Sequence, residues 1–156
     1  MVRPNSILFV CLGNICRSPL VEAVARHHLR AAGLDVAVAS CGTGDWHVGE
    51  GADPRMVAAA GAAGYDLAVH RARQLRPDDF GRHDLLLAMD RANLRELRRL
   101  APAAAAAGTA LFLEWSGLAA PPEFPDPYFG DTAGFAESVA LAERGVAALL
   151  QRLRGD

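Results

Sequence analysis

The run Val10-Cys11-Leu12-Gly13-Asn14-Ile15-Cys16-Arg17-Ser18-Pro19 restricts the possible folds of this chain more than any other stretch. Ahead of it, Ser6-Ile7-Leu8-Phe9-Val10 is a short apolar run of the kind that makes a buried strand. Behind it, Pro19 suits the first position of a helix capped by Ser18. A strand that passes through a tight loop into a helix N-terminus fixes both ends of that loop. Five residues separate Cys11 from Arg17, about enough chain to curl around one tetrahedral anion with its N–H groups turned inward. Such a nest on the positive pole of a helix dipole is a phosphate site. Its donors would be the backbone of Leu12, Gly13, Asn14, Ile15 and Cys16, with the Ser18 hydroxyl.

Cys11 stands at the mouth of that nest. Inward N–H groups, the helix terminus, the Ser18 hydroxyl and the Arg17 charge all favour thiolate over thiol, so Cys11 reads as a nucleophile. Arg17 offers a planar fork for two phosphate oxygens and a charge against the transferring group, which lysine would not match. Gly13 admits close backbone approach, and Asn14 tolerates a left-handed conformation. The plainer alternative is that Cys11 and Cys16 are small buried hydrophobes beside a helix cap. The agreement of strand, loop and cap favours the chemical reading. Cys11 to Pro19 resembles the signature loop of the bacterial-type low-molecular-weight protein tyrosine phosphatases. The resemblance runs from about Ser6 to Leu153.

Composition bounds the rest. A chain of 156 residues, 51% hydrophobic and 22% charged, is expected to form one globular domain over residues 1–156. The net charge of -2 argues against a nucleic-acid or anionic-membrane partner. No apolar run reaches the roughly 20 residues of a membrane span, and the N-terminus makes a poor signal peptide. The expectation is a cytoplasmic monomer. Cys11, Cys16 and Cys41 do not make a disulfide framework, and neither a CxxC nor a His cluster suggests zinc.

Along the chain, Val21, Val24, Ala25, His28 and Leu29 share a helix face that Gly33 closes, and His27 and His28 read as structural. Asp35 to Ser40 alternates as a second strand, and strand, helix, strand implies a right-handed parallel crossover. Gly42 to Gly49 is a glycine-punctuated loop around Trp46. Pro54 to Ala63 reads as an alanine-rich helix packed against the sheet and closed by Gly64, and Asp84 to Met89 as a third strand. Asp90 caps a helix through Leu100, with Leu94, Leu97 and Leu100 as its core stripe. Ala103 to Gly108 is a low-complexity connector, and Thr109 to Leu113 a fourth strand. A final helix from about Thr132 to Leu153 presents Phe135, Val139, Ala142, Val146 and Leu149 on one face. This order predicts an α/β fold in three layers: a four-stranded parallel sheet, helices on both faces, and the phosphate loop after strand 1. The family resemblance implies the same fold.

The resemblance also implies roles. Trp46 would form one wall of a pocket for the substrate ring, with Tyr128 and Phe129 as the wall opposite. Ser40 and His70 would belong to a hydrogen-bond network around Asn14, and Asp90 matches a family aspartate near the active face. Cys16 would be able to bond to an oxidised Cys11 and protect it. Asp126 lies between Pro125 and Pro127, which stiffen its loop; by itself it reads as a turn aspartate, and the Asp-Pro-Tyr match implies the general acid. The implied reaction is hydrolysis of phosphotyrosine proteins and small aryl phosphates through a phosphocysteine, with neither cofactor nor metal. Phe129 replaces a tyrosine common in relatives, which removes one hydroxyl that could be phosphorylated. An arsenate reductase would need cysteines after Cys41, and a protein-arginine phosphatase typically has Thr where Ile15 stands. A phosphotyrosine-binding module without turnover would not need both Cys11 and Asp126.

Overall fold

The computed structural model describes residues 3–103, 105 and 108–155. Four strands, β1 (Ser6–Cys11), β2 (Ala37–Gly42), β3 (Leu85–Ala88) and β4 (Gly108–Leu111), form one sheet in the order β2-β1-β3-β4. All three pairings are parallel, with Ser6 opposite Ala37, Ile7 opposite Leu85, and Leu85 opposite Gly108. The side-chain period of two splits the apolar strands between two cores. Ile7, Phe9, Cys11, Leu85 and Leu87 join one core, while Leu8, Val10, Leu86 and Ala88 join the other. The first lies under α1 (Arg17–Ala31) and α6 (Thr132–Leu153); the second lies under α4 (Arg91–Leu100). Helices therefore cover both faces, as expected of a parallel sheet. β1 is followed by β2 on one side and borders β3 on the other, so its C-terminal end opens at a point where the winding reverses. Cys11 is the last residue of that strand.

Several boundaries differ from the sequence reading. Ser18 does not cap α1: the helix begins at Arg17 behind Cys16, and Ser18 sits in its first turn with its hydroxyl turned into the loop. Pro19 remains in that first turn, where a missing N–H costs nothing. β2 is two residues later than Asp35 to Ser40, since pairing with β1 carries it through Cys41 and Gly42. α2 (Pro54–Ala62) packs against α6 rather than the sheet and buries only Met56 and Ala60. Leu100 is exposed, leaving Leu94 and Leu97 as the core stripe of α4.

Residues Phe112 and Leu113 are not strand but the start of α5 (Phe112–Ser116). β4 ends where its partner β3 ends, and the chain turns so that Phe112 meets Phe9 edge-on at 5.5 Å. A further short helix, α3 (Asp79–Arg82), precedes β3. Of the connector Ala103 to Gly108, Ala104, Ala106 and Ala107 lie outside the described residues. The final helix keeps its expected bounds, and Phe135, Val139, Ala142, Val146 and Leu149 are all buried. No helix among the described residues is long and apolar enough to cross a membrane.

Candidate active site

The loop between β1 and α1 closes on the sulfur of Cys11. The Asn14 N–H points at Sγ from 3.3 Å, and the Ser18 hydroxyl lies 3.0 Å from it. Asn14 has φ +58°, the left-handed conformation that asparagine tolerates, and it is fully buried. Its side-chain amide donates to Ser18 Oγ at 2.8 Å and Ser40 Oγ at 3.0 Å, while Oδ1 accepts from the Arg73 N–H at 3.0 Å. His70 Nε2 donates to the Asn14 carbonyl at 2.6 Å. Ser40 in turn donates to Glu22 Oε1 at 2.6 Å, so Asn14 is fixed from the strand side, the helix side and the loop beyond.

Arg17 is almost wholly buried. One terminal nitrogen is held by Asp90 Oδ2 at 2.8 Å and by the Phe124 carbonyl at 2.9 Å; the other faces Asp126 Oδ2 at 3.7 Å. Asp90 serves two elements: its second oxygen accepts from the Asn93 N–H at 2.8 Å and caps α4. Asp126 is more exposed, and its Oδ1 accepts from the Tyr128 N–H at 3.0 Å, which turns the carboxyl over the loop.

Above Cys11 opens a cavity of about 200 Å³. Cys11, Leu12, Gly13, Ile15, Cys16 and Arg17 form its floor, Trp46 and His47 one side, and Asp126, Tyr128 and Phe129 the other. The ring centres of His47 and Tyr128 lie 6.3 Å apart, with the rings tilted at 51° to each other. Trp46 is 68% exposed, so it stands as a wall rather than filling a gap in the core. Of the sequence candidates, those of the loop from Cys11 to Arg17 other than Asn14 line the cavity, with Trp46, Asp126, Tyr128 and Phe129. Asn14, Ser18, Ser40, His70 and Asp90 lie behind it and hold the lining in place.

Burial, then the charges of Asp53 and Cys11, push the Cys16 thiol up to about 12, which keeps it neutral at physiological pH. Burial also pushes the Cys41 thiol up. All three cysteines are free.

Residues without an individual signal in the sequence also shape the site. A Cβ on Gly42 would lie 2.6 Å from the Leu12 carbonyl, so only glycine lets the loop fold back onto β2. Glu22 anchors Ser40, and His47 adds a ring beside Trp46. The Asp53 N–H donates to the Ile15 carbonyl at 2.9 Å, tying the loop to the start of α2; the sequence reading began that helix at Pro54 without its Asp53 cap, although Asp ahead of Pro is a helix-start signal. Among the described residues, no group of three or more His, Cys, Asp or Glu side chains is placed to hold a metal ion.

Fold and site together define a small α/β phosphatase that works through a cysteine. The chain belongs to the low molecular weight phosphotyrosine protein phosphatase family, whose model matches residues 6–156. It is 45% identical to the low molecular weight protein-tyrosine-phosphatase of Streptomyces coelicolor over 153 residues, 95% of this chain and 93% of that one. It is 39% identical to low molecular weight protein-tyrosine phosphatase A of Mycobacterium tuberculosis, over 96% of this chain and 91% of that one. A crystal structure of a protein tyrosine phosphatase from Entamoeba histolytica, with Hepes in its active site, superposes with a TM-score of 0.89. That protein is 32% identical, and the match covers 96% of this chain and 97% of that one.

Proposed function

We propose that this protein hydrolyses phosphotyrosine in protein substrates, and small aryl phosphates, by a two-step transfer through Cys11. The observation that carries the reading is the convergence of Cys11, Arg17 and Asp126 on one cavity. In the first step the Cys11 thiolate attacks phosphorus in line, the S–P bond forms, and the P–O bond to tyrosine breaks. Asp126 gives its proton to the departing phenolic oxygen. In the second step Asp126 takes a proton from water, the water oxygen attacks phosphorus, the S–P bond breaks, and phosphate leaves with the thiolate restored.

The loop N–H groups of Leu12 to Cys16 and the Ser18 hydroxyl would hold the equatorial oxygens and the sulfur charge, with Arg17 opposite as a charged fork. Clamping of Arg17 by Asp90 and Phe124 supports this role, because it fixes the guanidinium before substrate arrives. The neutral Cys16 thiol supports Cys11 as the nucleophile of the pair. Trp46 on one side and Tyr128 and Phe129 on the other would sandwich a flat aromatic ester. A location in the cytoplasm suits free thiols.

The test is hydrolysis of a phosphotyrosine peptide and of nitrophenyl phosphate in chelator by wild type, Cys11→Ser and Asp126→Ala. Cys11→Ser is expected to release no phosphate. Asp126→Ala is expected to lose roughly 10²- to 10⁴-fold in kcat/KM on the peptide and far less on the nitrophenyl ester, whose leaving group needs little protonation. A wild type that binds the peptide without releasing phosphate would overturn the reading.

A further inference from the structure

Arg55 does not line the cavity, yet its guanidinium is held by side chains that surround it. Nε donates to Asp53 Oδ1 at 3.1 Å, and a terminal nitrogen to Asp53 Oδ2 at 2.8 Å. The Arg55 backbone N–H donates to Oδ1 at 2.8 Å. Capping α2 needs only that last bond; it does not account for a guanidinium fork on the same carboxylate. The fork has a second use. Its central carbon sits 4.5 Å from the centre of the Phe135 ring, which is buried on α6, and 5.4 Å from the centre of the Tyr128 ring. A long cation on the first turn of a helix is free to reach solvent, and holding it over two rings gives up that freedom for cation–π contact.

The contacts form one path. The Ile15 carbonyl in the phosphate loop accepts from the Asp53 N–H, the Asp53 carboxylate holds Arg55, Arg55 holds the Tyr128 ring, and the Tyr128 N–H holds the Asp126 carboxyl. We propose that Asp53 and Arg55 form a brace that keeps Tyr128, and through it the Asp126 carboxyl, at a fixed station above the phosphate loop. Arg55 is then a positioning residue for proton transfer to the leaving group, and the inference rests on the phosphatase reading above. Hydrogen bonding from Arg55 holds the Asp53 carboxyl below its usual range, so the brace is ionised throughout the neutral range.

The chain has two tyrosines, Tyr65 and Tyr128, so protein labelled with fluorotyrosine gives one fluorine NMR line for each. Tyr65 is bonded to Glu143 and His28 and serves as an internal control. In Arg55→Met the stem is kept and the fork lost. The Tyr128 line is expected to shift or broaden while the Tyr65 line stays. The plot of log kcat/KM against leaving-group pKa is expected to steepen, with a loss of about tenfold on poor leaving groups and little on nitrophenyl phosphate. Arg55→Lys keeps the charge without the planar fork and should fall between the two. In a Tyr128→Ala background, Arg55→Met should change the slope no further.

An unmoved Tyr128 line, an equal fall on every ester, or additivity with Tyr128→Ala would overturn the brace. Failure of the wild type to turn over would defeat the phosphatase reading instead, and the fluorine spectrum would still decide whether Arg55 holds Tyr128.

Discussion

At the scale of single residues, Asn14 joins the most parts. Its backbone N–H reaches Cys11, its side chain bridges Ser18, Ser40 and Arg73, and its carbonyl receives His70. Asn14→Ala would leave buried partners without a bond, at about 1–3 kcal/mol for each unsatisfied group, and put a Cβ at positive φ for about 1 kcal/mol more. A loss of at least about 2 kcal/mol in urea unfolding is expected, together with a larger fall in kcat/KM than the unfolded fraction explains. Asn14→Gly should recover only the backbone share. Asp90 separates two duties in the same way. Asn caps helices as well as Asp, so Asp90→Asn should keep the α4 cap and lower the melting temperature only through the lost charge beside the buried Arg17. It also removes the charge clamping Arg17, and kcat/KM should fall on the order of tenfold. The loop residues were legible because strand, nest and helix start are all local patterns. Arg55 and Glu22 were not, since each acts on a partner far away in sequence, and nothing local marks an arginine that stacks or a glutamate that anchors.

At the scale of elements, the seam between α5 and α6 depends on a missing side chain. A Cβ on Gly145 would lie 2.8 Å from both the Phe112 ring and Leu113 Cδ2, and both residues are fully buried. Gly145→Ala gains about 1 kcal/mol of helix propensity, but overpacking a core without room costs about 1–3 kcal/mol, so the clash wins where the ring cannot retreat. A drop of several degrees in melting temperature is expected, at roughly 2–4 °C per kcal/mol for a chain of this size. Contacts of this kind, between residues far apart in the chain, are also why α5 escaped the sequence: Thr109 to Leu113 reads as five apolar-rich strand residues. What ends β4 at Leu111 is the four-residue length of β3 and the space left for Phe112 against Phe9, both of them tertiary. β1, α1 and α6 were readable because their apolar periods are long enough to specify type and face; the two-residue slip of β2 reflects a register set by its partner.

At the scale of the whole molecule, the segment from Gly64 to Asp78 has little regular structure and yet closes the back of the site. The Arg73 N–H bonds Asn14, Gln74 bridges to Gly42, and the Arg73 guanidinium grips both oxygens of Asp79 at 2.9 and 3.0 Å. Burial pushes the Asp79 carboxyl up, but hydrogen bonds from Arg73 and the Arg76 N–H outweigh it and hold the carboxyl below its ordinary 3.8. A depressed native pKa means that the unfolded chain takes up the proton first. The stabilisation is thus complete above about pH 4 and is lost as pH falls below it through the lower native value. Asp53, held down by Arg55, adds loss in the same window. His83, whose imidazole burial pushes down from 6.5, starts a shallower loss at higher pH, because the unfolded chain binds that proton first as well. Melting temperature measured from pH 7 to about pH 2.5 should therefore fall in two stages, the steeper one below about pH 4. Asp79→Asn should melt lower than wild type at pH 7 and lose part of the steep stage, so that the two curves converge in acid. Parallel curves across the whole range would mean that Arg73 and Asp79 contribute no net ionic stabilisation, and that the back of the site is held by the backbone bonds alone.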